Sequence, residues 1–312
     1  MKLFAKKPNR IEPKRKLKKS QIQLLLMVLP CMAFLFAFYY AQLFGWAYAF
    51  VDYKPSKKVW EMTFEGLRYF KKMIDVHNGF VAAMRNTLIY GISGLLLTPL
   101  PAIFAICLSE VRNPKLKKLI QTTSSFPYFI SWTLVYAVCF IMFSSDGQIS
   151  ELLVKWGWME HTVNLLSNEK AAYALQIFLG VWKGLGWSAV LYMAAIAGVD
   201  QELHEAAAVD GANRFQRIWH ITVPGLLPTF FVLFVMAVAN LFNTGFEQYY
   251  MFYNAMVSDK LDVIATYVYR RGLGNGEYSY ATAVGMTQSL ISIVLLYITS
   301  KVSKKVTGNS II

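Results

Sequence analysis

Few residues of this chain have the types and spacing that covalent or metal chemistry requires. Four histidines lie in loops or at the ends of apolar segments, without the spacing of a metal site: His77, His161, His204 and His220. His204-Glu205 begins like a zinc-protease motif, but Ala208 stands where the second histidine is required. A phosphate-binding loop of the form Gly-x-x-x-x-Gly-Lys-Ser/Thr does not occur. The sequence therefore predicts no catalytic residue, no metal site and no ATP or other cofactor bound by this chain.

The loop 200–224 combines charged residues with very small ones. Acids come early and bases late, an order that favours a short helix through the helix dipole: Glu202, Glu205 and Asp210, then Arg214 and Arg217. Between them, a partner surface can approach the backbone closely at three alanines, Ala206, Ala207 and Ala208. Gly211 permits a sharp change of direction. These residues fit either a docking knob or an ordinary loop between helices.

Lys183 is a charged residue near the middle of a long apolar run, between Trp182 and Trp187. A charge at the centre of a membrane helix costs at least about 2.5–3.5 kcal/mol, so we expect Lys183 to face water, a partner or a counter-charge. Lys183 and Trp182 are therefore candidates for the lining of a polar solute path. The alternative is a structural ion pair, with another subunit or with an acid such as Glu247.

A second polar group follows the fifth apolar run and comprises Asn240, Asn243, Glu247 and Gln248. If the helix continues through them, Asn240, Asn243 and Glu247 fall on one face. That face would line the same path. Hydrogen bonding between helices, which small polar residues often provide in membranes, is the alternative.

The elements that must position these residues are membrane helices. Of the 312 residues 56% are hydrophobic, the mean hydropathy is +0.39, and the apolar residues form long runs. Crossing a hydrocarbon core of about 30 Å takes roughly 20 apolar residues in a helix. Six runs meet this length, near 21–50, 84–109, 126–144, 171–198, 222–245 and 281–300. We therefore predict an all-α polytopic membrane protein with six transmembrane helices.

Positive charge sets the predicted orientation. The first 20 residues hold nine Lys and Arg, and the segments assigned to the cytoplasm hold 18 against 11 in the outer loops. The positive-inside rule then places both termini in the cytoplasm. We expect residues 1–18 to be a disordered basic arm and 19–312 to be one membrane domain. The net charge of +13 indicates contact with anionic lipid of the bilayer and not with nucleic acid, because the cations cluster beside the spans.

The run from Glu205 to Pro228 contains Glu-Ala-Ala, then Asp-Gly-Ala, then Ile-Thr-Val-Pro with a further proline four residues on. This pattern resembles the EAA loop of binding-protein-dependent ABC importer permeases. The resemblance implies a type I ABC importer permease fold, with a cytoplasmic coupling helix that inserts into a cleft of an ATPase subunit. On this basis the coupling residues would be Glu205, Ala206, Ala207, Asp210, Gly211 and Ala212.

The resemblance extends over nearly the whole chain after the basic arm. Further motifs look like those of the LplB-like branch of sugar permeases: Arg85-Asn-Thr87, Glu110-Val-Arg112, Phe129-Ile-Ser-Trp132, Trp182-Lys-Gly-Leu-Gly-Trp187, Gly245-Phe-Glu-Gln248, Tyr267-Val-Tyr-Arg270 and Tyr278-Ser-Tyr-Ala-Thr-Ala-Val-Gly285. The resemblance implies a bacterial cytoplasmic-membrane importer of oligosaccharides or polysaccharide fragments. Its implied partners are a second homologous permease, two ATPase subunits that bind ATP and magnesium, and an extracytoplasmic sugar-binding lipoprotein.

Three other functions compete with this interpretation. An ABC permease for another solute, such as glycerol phosphate, would use the same loop, but its cavity would need several cations and only Lys183 is a good candidate. A stand-alone channel or carrier would have no use for a docking loop. A membrane enzyme would need clustered reactive groups, which the sequence lacks. We therefore expect a transport subunit and not an enzyme.

Overall fold

The computed structural model describes residues 19–58, 61–75, 78–157, 161–162 and 164–307. The predicted basic arm, residues 1–18, lies outside them. The described chain is helical, without a named strand, which confirms the predicted all-α class. Its helices are α1 (Lys19–Leu35), α2 (Arg68–Met73), α3 (Phe80–Leu96), α4 (Pro99–Ser109), α5 (Pro114–Ser125), α6 (Trp132–Phe143), α7 (Gln148–Lys155), α8 (Glu169–Ala197), α9 (Gln201–Val209), α10 (Arg214–Arg217), α11 (Val223–Ala239), α12 (Glu247–Phe252), α13 (Ser258–Leu261), α14 (Ile264–Tyr269) and α15 (Tyr278–Thr307).

The chain divides into two compact units, Met1–Ala47 and Tyr48–Ile312. In the first, α1 continues through a π-helical turn, Phe36–Tyr40. Its large apolar side chains, such as Leu25, Met27 and Phe34, are exposed. A helix with apolar side chains all round is a membrane span or a core helix. Because none of the described residues of this unit, 19–47, buries those side chains, we assign them to lipid.

Five helical stretches are long and apolar enough to cross a membrane: Ile22–Phe50, Phe80–Ser109, Glu169–Ala197, Arg214–Ala239 and Tyr278–Lys301. A sixth span is present if the bent pair Pro114–Phe129 and Trp132–Leu152 is counted as one. Each of these five stretches overlaps a run predicted from hydropathy. Hydropathy is sufficient for this because a helix that crosses the bilayer needs about 20 apolar residues, and its backbone hydrogen bonds must be made within the helix.

The predicted third span, 126–144, is wrong as a single helix. The first residues of that run, Phe126–Phe129, form a 3-10 turn at the end of α5, and the chain then bends by 100° into α6. The Ser131 side chain accepts the backbone N–H of Leu134 and so caps the start of α6. A capped new helix and a 3-10 turn containing Pro127 together end the first helix inside the apolar run.

The predicted fifth span, 222–245, is also displaced. The helix begins earlier, at Arg214, and ends at Ala239, so that Asn240 and Asn243 lie in a turn. Gly245 has a φ of +89°, which a helix does not allow, and Glu247 begins the separate helix α12. Asn240, Asn243 and Glu247 therefore do not share one continuous helix face.

The second unit packs around α8. Helix α4 lies against α8, and α11 lies against α15. Two other close approaches, of α3 to the turn after α11 and of α8 to the end of α5, depend on the absence of a side chain at glycine. A Cβ on Gly91 would stand 2.3 Å from the carbonyl oxygen of Leu241, and one on Gly186 would stand 2.2 Å from that of Ser124. Close approach at small residues is typical of helix packing in membranes.

The segment between α13 and α14 is fastened to α3 through Asn86, which is fully buried. The Asn86 amide nitrogen donates to the backbone carbonyls of Asp259 and Asp262, at 2.9 Å each. Its amide oxygen accepts the hydroxyl of Tyr173 at 2.6 Å. One side chain therefore connects α3, α8 and the segment between α13 and α14, so the Arg85-Asn-Thr87 motif has a structural role here.

The Asp262 carboxylate connects the same segment, between α13 and α14, to residues that follow it in the chain. It accepts the hydroxyl of Thr266 at 2.9 Å and pairs with the guanidinium of Arg270. Burial raises the pKa of the Asp262 carboxyl above its ordinary value, against the opposing effect of Arg270.

Candidate functional site

The loop after α8 folds as two short helices joined at Gly211. The Asp200 side chain accepts the backbone N–H of Glu202 and caps α9. Gly211 then adopts a φ of +79°, the left-handed region that a side chain disfavours. At α10, Asn213 and Gln216 accept each other's backbone N–H groups at 2.7 and 2.9 Å. Reciprocal capping of this kind fixes the start of α10.

The loop presents apolar side chains that no residue in the described part of the chain covers. Val209 is 89% exposed and Phe215 is 83% exposed. The predicted small-residue surface is also open, because Ala206 and Ala208 are exposed. Two large apolar residues beside a stripe of alanines form a surface whose burial against a partner is favourable.

The loop is also tied back to the membrane helices. The guanidinium of Arg214 lies 3.6 Å from the carboxylate of Glu110. Glu110 is the C-cap residue of α4. The Arg217 Nε is buried and has no hydrogen-bond partner among the described residues. It lines a hollow of about 360 Å³ on the loop together with Asp210, Gly211 and His220. A buried donor without an acceptor costs about 1–3 kcal/mol, which a contacting acceptor would relieve.

A cavity of about 300 Å³ lies at membrane depth between α3, α4, α8 and α12. Polar and aromatic side chains line it, including Tyr90, Thr98, Gln176, Ser188, Gln248 and Tyr249. Gly180 and Gly184 leave room for it on α8. Polar groups at a few points of a mostly apolar cavity are the usual construction of a small-molecule site.

Two buried amides form the polar centre of this cavity. Gln176 is 2% exposed and Gln248 is 8% exposed. The Gln248 amide nitrogen donates to both the backbone and the side-chain oxygen of Gln176, at 2.9 Å each. The Gln176 amide nitrogen and the Gln248 amide oxygen have no further partner in the described part of the chain. The Gln176 NH₂ group, with two N–H donors, and the Gln248 amide oxygen therefore remain for ligand hydroxyls.

A second cavity of about 260 Å³ adjoins the first, and both are lined by Tyr90, Gly94 and Tyr249. The rings of Tyr90 and Tyr249 have centroids 4.6 Å apart. Asn240 and Asn243 line only the second cavity. The tyrosine pair therefore lines both cavities.

The structure separates the other predicted path residues from these cavities. Glu247 is exposed at the start of α12. Trp182 lines a different hollow, between α4, α5 and α8, together with Leu119 and Pro127. Lys183 points to backbone carbonyls near Pro127. Of the predicted set, Gln248, Asn240 and Asn243 are brought to the two connected cavities.

Sequence reasoning did not select Gln176, Tyr90 or Tyr249 as path residues. A signal for Gln176 existed, because an uncharged amide inside an apolar span is rare and faces protein or water. The tyrosines gave no signal, since aromatic residues occur near most span ends as interfacial anchors.

The family described as "Binding-protein-dependent transport system inner membrane component" matches residues 98–308. This range contains the loop 200–224, α8, α12 and most of the cavity lining. The chain belongs to this family. It is therefore an inner-membrane component of a binding-protein-dependent transport system, and the membrane class inferred from hydropathy is confirmed.

Relatives in the family match almost the whole chain. Protein LplB of Bacillus subtilis (strain 168) is 37% identical over 284 residues, which are 90% of this chain and 88% of LplB. The polygalacturonan/rhamnogalacturonan transport system permease protein YteP of the same organism is 33% identical and covers 92% of this chain and 89% of its own length.

A solved structure has the same fold. It is a chain of a bacterial alginate ABC transporter in complex with an alginate pentasaccharide-bound periplasmic protein. The match has a TM-score of 0.85 and 29% sequence identity, and it covers 94% of this chain and 98% of the other. The type I ABC permease fold expected from the EAA-like loop is confirmed.

Proposed function

We propose that this chain is the permease subunit of an ATP-driven importer, and that it forms part of a path for oligosaccharides or polysaccharide fragments across the bacterial cytoplasmic membrane. The observation that carries the substrate class is the agreement between relatives and cavity. YteP is described as a polygalacturonan/rhamnogalacturonan permease, and the matching structure belongs to an alginate transporter. The cavity presents tyrosine rings and uncharged amides, which suit sugar C–H faces and hydroxyls.

The absence of cations from the cavity argues against a phosphate-bearing solute. A phosphate group prefers several Lys or Arg donors. The residues that line the two cavities are uncharged among the parts of the chain that the structure describes. We therefore favour a sugar over glycerol phosphate, the alternative left by the sequence.

The proposed mechanism is alternating access driven through the loop 200–224. An ATPase subunit would cover the alanine stripe and the exposed Val209 and Phe215, and its closure on ATP would move α9 and α10. Because α8 ends at Ala197 and α9 begins at Gln201, that movement would pass directly to the helix that lines the cavity. Glu205, Ala206, Ala207, Asp210, Gly211 and Ala212 would make this contact and transmit force without covalent chemistry.

The proposed assembly contains a second homologous permease, two ATPase subunits that bind ATP and magnesium, and an extracytoplasmic sugar-binding lipoprotein. In the matching alginate transporter structure a sugar-bound periplasmic protein accompanies the transporter. Both termini of this chain would face the cytoplasm. This orientation follows from the nine cations of residues 1–20 and places the loop 200–224 on the ATPase side.

The test uses the complete complex in lipid, with its binding protein and a panel of oligosaccharides. We expect one class of glycan to stimulate ATP hydrolysis and to be taken up. Gly211→Val should abolish uptake, because a β-branched residue resists a φ of +79°. Gly157→Val is the matched control, since Gly157 has a φ of +72° and, like Gly211, open space around it.

Two results would contradict the proposal. If no saccharide stimulated ATP hydrolysis by the unmodified complex, the importer function would be wrong. Full sugar-stimulated uptake in the Gly211→Val complex would remove the coupling role from this loop and leave the substrate class standing.

A further inference from the structure

Lys183 is almost fully buried in the middle of α8, with 9% of its surface exposed. Its ammonium nitrogen donates to the backbone carbonyls of Pro127 at 3.0 Å and Tyr128 at 2.8 Å, and to that of Ile130. An ammonium group has three N–H donors and no acceptor. All three donors of Lys183 are therefore used within the chain.

The Lys183 ammonium can reach these carbonyls because α5 ends next to them. The 3-10 turn Phe126–Phe129 ends α5, and α6 starts afresh after Ser131. The last carbonyls of a helix have no partner in that helix and carry a partial negative charge. At membrane depth no water is present to satisfy them. Lys183 therefore provides a counter-charge at the break and hydrogen bonds to the Tyr128 and Ile130 carbonyls, and it adds a second hydrogen bond to the Pro127 carbonyl, which also accepts the Ile130 N–H at 3.2 Å.

A second feature holds the break against α8. Gly186 lies one turn after Lys183 on the same face, and a Cβ there would stand 2.2 Å from the Ser124 carbonyl oxygen and 2.6 Å from the Ser125 nitrogen. The end of α5 thus rests directly on the α8 backbone. The rings of Tyr128 and Trp132 flank the ammonium at 5.7 and 5.4 Å.

The position of Lys183 also separates it from the proposed sugar path. Lys183 lines neither cavity, although Gln176, which lines the first, lies two turns before it on the same face of α8. With three carbonyls around its nitrogen, Lys183 has no N–H group left for a hydroxyl or a carboxylate of a substrate.

We propose that Lys183 is a positioning residue that fixes the break between α5 and α6 to α8. Through this connection, movement of α8 carries the break and α6 with it. The second statement rests on the proposed function, since it takes the moving loop 200–224 as the source of the movement. The first does not depend on transport.

The test replaces Lys183 in the complete complex and measures amide hydrogen exchange in lipid nanodiscs, without sugar or ATP. Lys183→Met removes the donors and keeps the length of the side chain. We expect amides of residues 126–132 to exchange about tenfold faster or more, because charged hydrogen bonds no longer oppose local opening. Lys170→Met, at the exposed start of the same helix, is the matched control and should leave that exchange unchanged.

Transport measurements then separate positioning from substrate contact. For Lys183→Met we expect the sugar concentration that gives half-maximal ATPase stimulation to stay within about twofold of the unmodified complex, and sugar transported per ATP to fall. Unchanged exchange together with a large shift in the half-maximal concentration would overturn the proposal. Faster exchange with an unchanged transport ratio would overturn the statement that α8 carries the break.

If Lys183→Met does not assemble, Gly186→Ala tests the same contact with Lys183 intact. Its added methyl group pushes the end of α5 away from α8, and we expect faster exchange in residues 126–132 here as well. Unchanged exchange in that variant would overturn the proposal. A complex in which no sugar stimulates ATP hydrolysis would instead contradict the proposed function, and the exchange result would be unaffected.

Discussion

Replacement of Asn86 by alanine tests how strongly one buried amide holds the segment between α13 and α14. The substitution removes two hydrogen bonds of 2.9 Å, to the carbonyls of Asp259 and Asp262, and one of 2.6 Å from Tyr173. Each buried group left without a partner costs about 1–3 kcal/mol. The Asp259 carbonyl keeps the Arg85 guanidinium at 3.3 Å, so two groups lose their partner, the Asp262 carbonyl and the Tyr173 hydroxyl. We therefore expect a loss of roughly 2–6 kcal/mol, because Asn86 is fully buried and its partners are held in place.

The assay is thermal unfolding of the purified complex, followed by the loss of its size-exclusion peak after heating. Two further variants set the scale. Tyr173→Phe removes one of the three hydrogen bonds and should cost about 1 kcal/mol. Asn240→Ala removes one hydrogen bond, to the Met236 carbonyl, at an exposed position and should cost less.

The expected order of unfolding temperatures is therefore Asn86→Ala lowest, then Tyr173→Phe, then Asn240→Ala. If Asn86→Ala unfolded at the same temperature as Tyr173→Phe, the two carbonyl contacts would contribute nothing. The reasoning that this side chain fastens the segment would then be refuted.

Two further predictions concern the cavity and the packing of α3. Gln248→Leu should raise the oligosaccharide concentration for half-maximal ATPase stimulation by about tenfold, because it removes the polar centre of the cavity. The control Gln121→Leu, on α5 and away from the cavity, should leave this concentration unchanged. Equal effects of the two variants would contradict the cavity assignment. Gly91→Ala should lower the unfolding temperature of the complex, because its Cβ would stand 2.3 Å from the Leu241 carbonyl oxygen. The control Gly94→Ala adds its methyl group to open space on the same helix and should leave the unfolding temperature unchanged. Similar unfolding temperatures of the two variants would show that the turn after α11 moves aside for the added methyl group.

The sequence located the membrane helices because each signal was local. A run of about 20 apolar residues is sufficient to predict a span, and the runs near 84–109 and 171–198 became Phe80–Ser109 and Glu169–Ala197. The short helices and the turn of the loop 200–224 could also be predicted from the sequence, since its caps and its left-handed glycine depend on residues within a few positions of one another. The roles proposed for its residues remain predictions.

The errors arose where hydropathy conceals a break. Residues 126–144 are apolar throughout, so composition predicts one helix, yet the chain bends by 100° within them. Lys183, 53–56 residues away along the chain, donates to three backbone carbonyls at this bend. Sequence reasoning recognised Lys183 as unusual but could not identify its partners, because a lysine in an apolar run fits a cavity, an ion pair or a helix end equally well.

The sequence by itself determined the class of the protein, a multi-span membrane permease. Only the tertiary structure decided which polar residues meet. Gln176 and Gln248 lie 72 residues apart, and Asn86 lies 173 and 176 residues from the carbonyls it binds. The physical reason is that spans and turns follow from the solvation and geometry of neighbouring residues. Pairs of buried polar groups are fixed only when separate helices pack and each donor must find an acceptor in the absence of water.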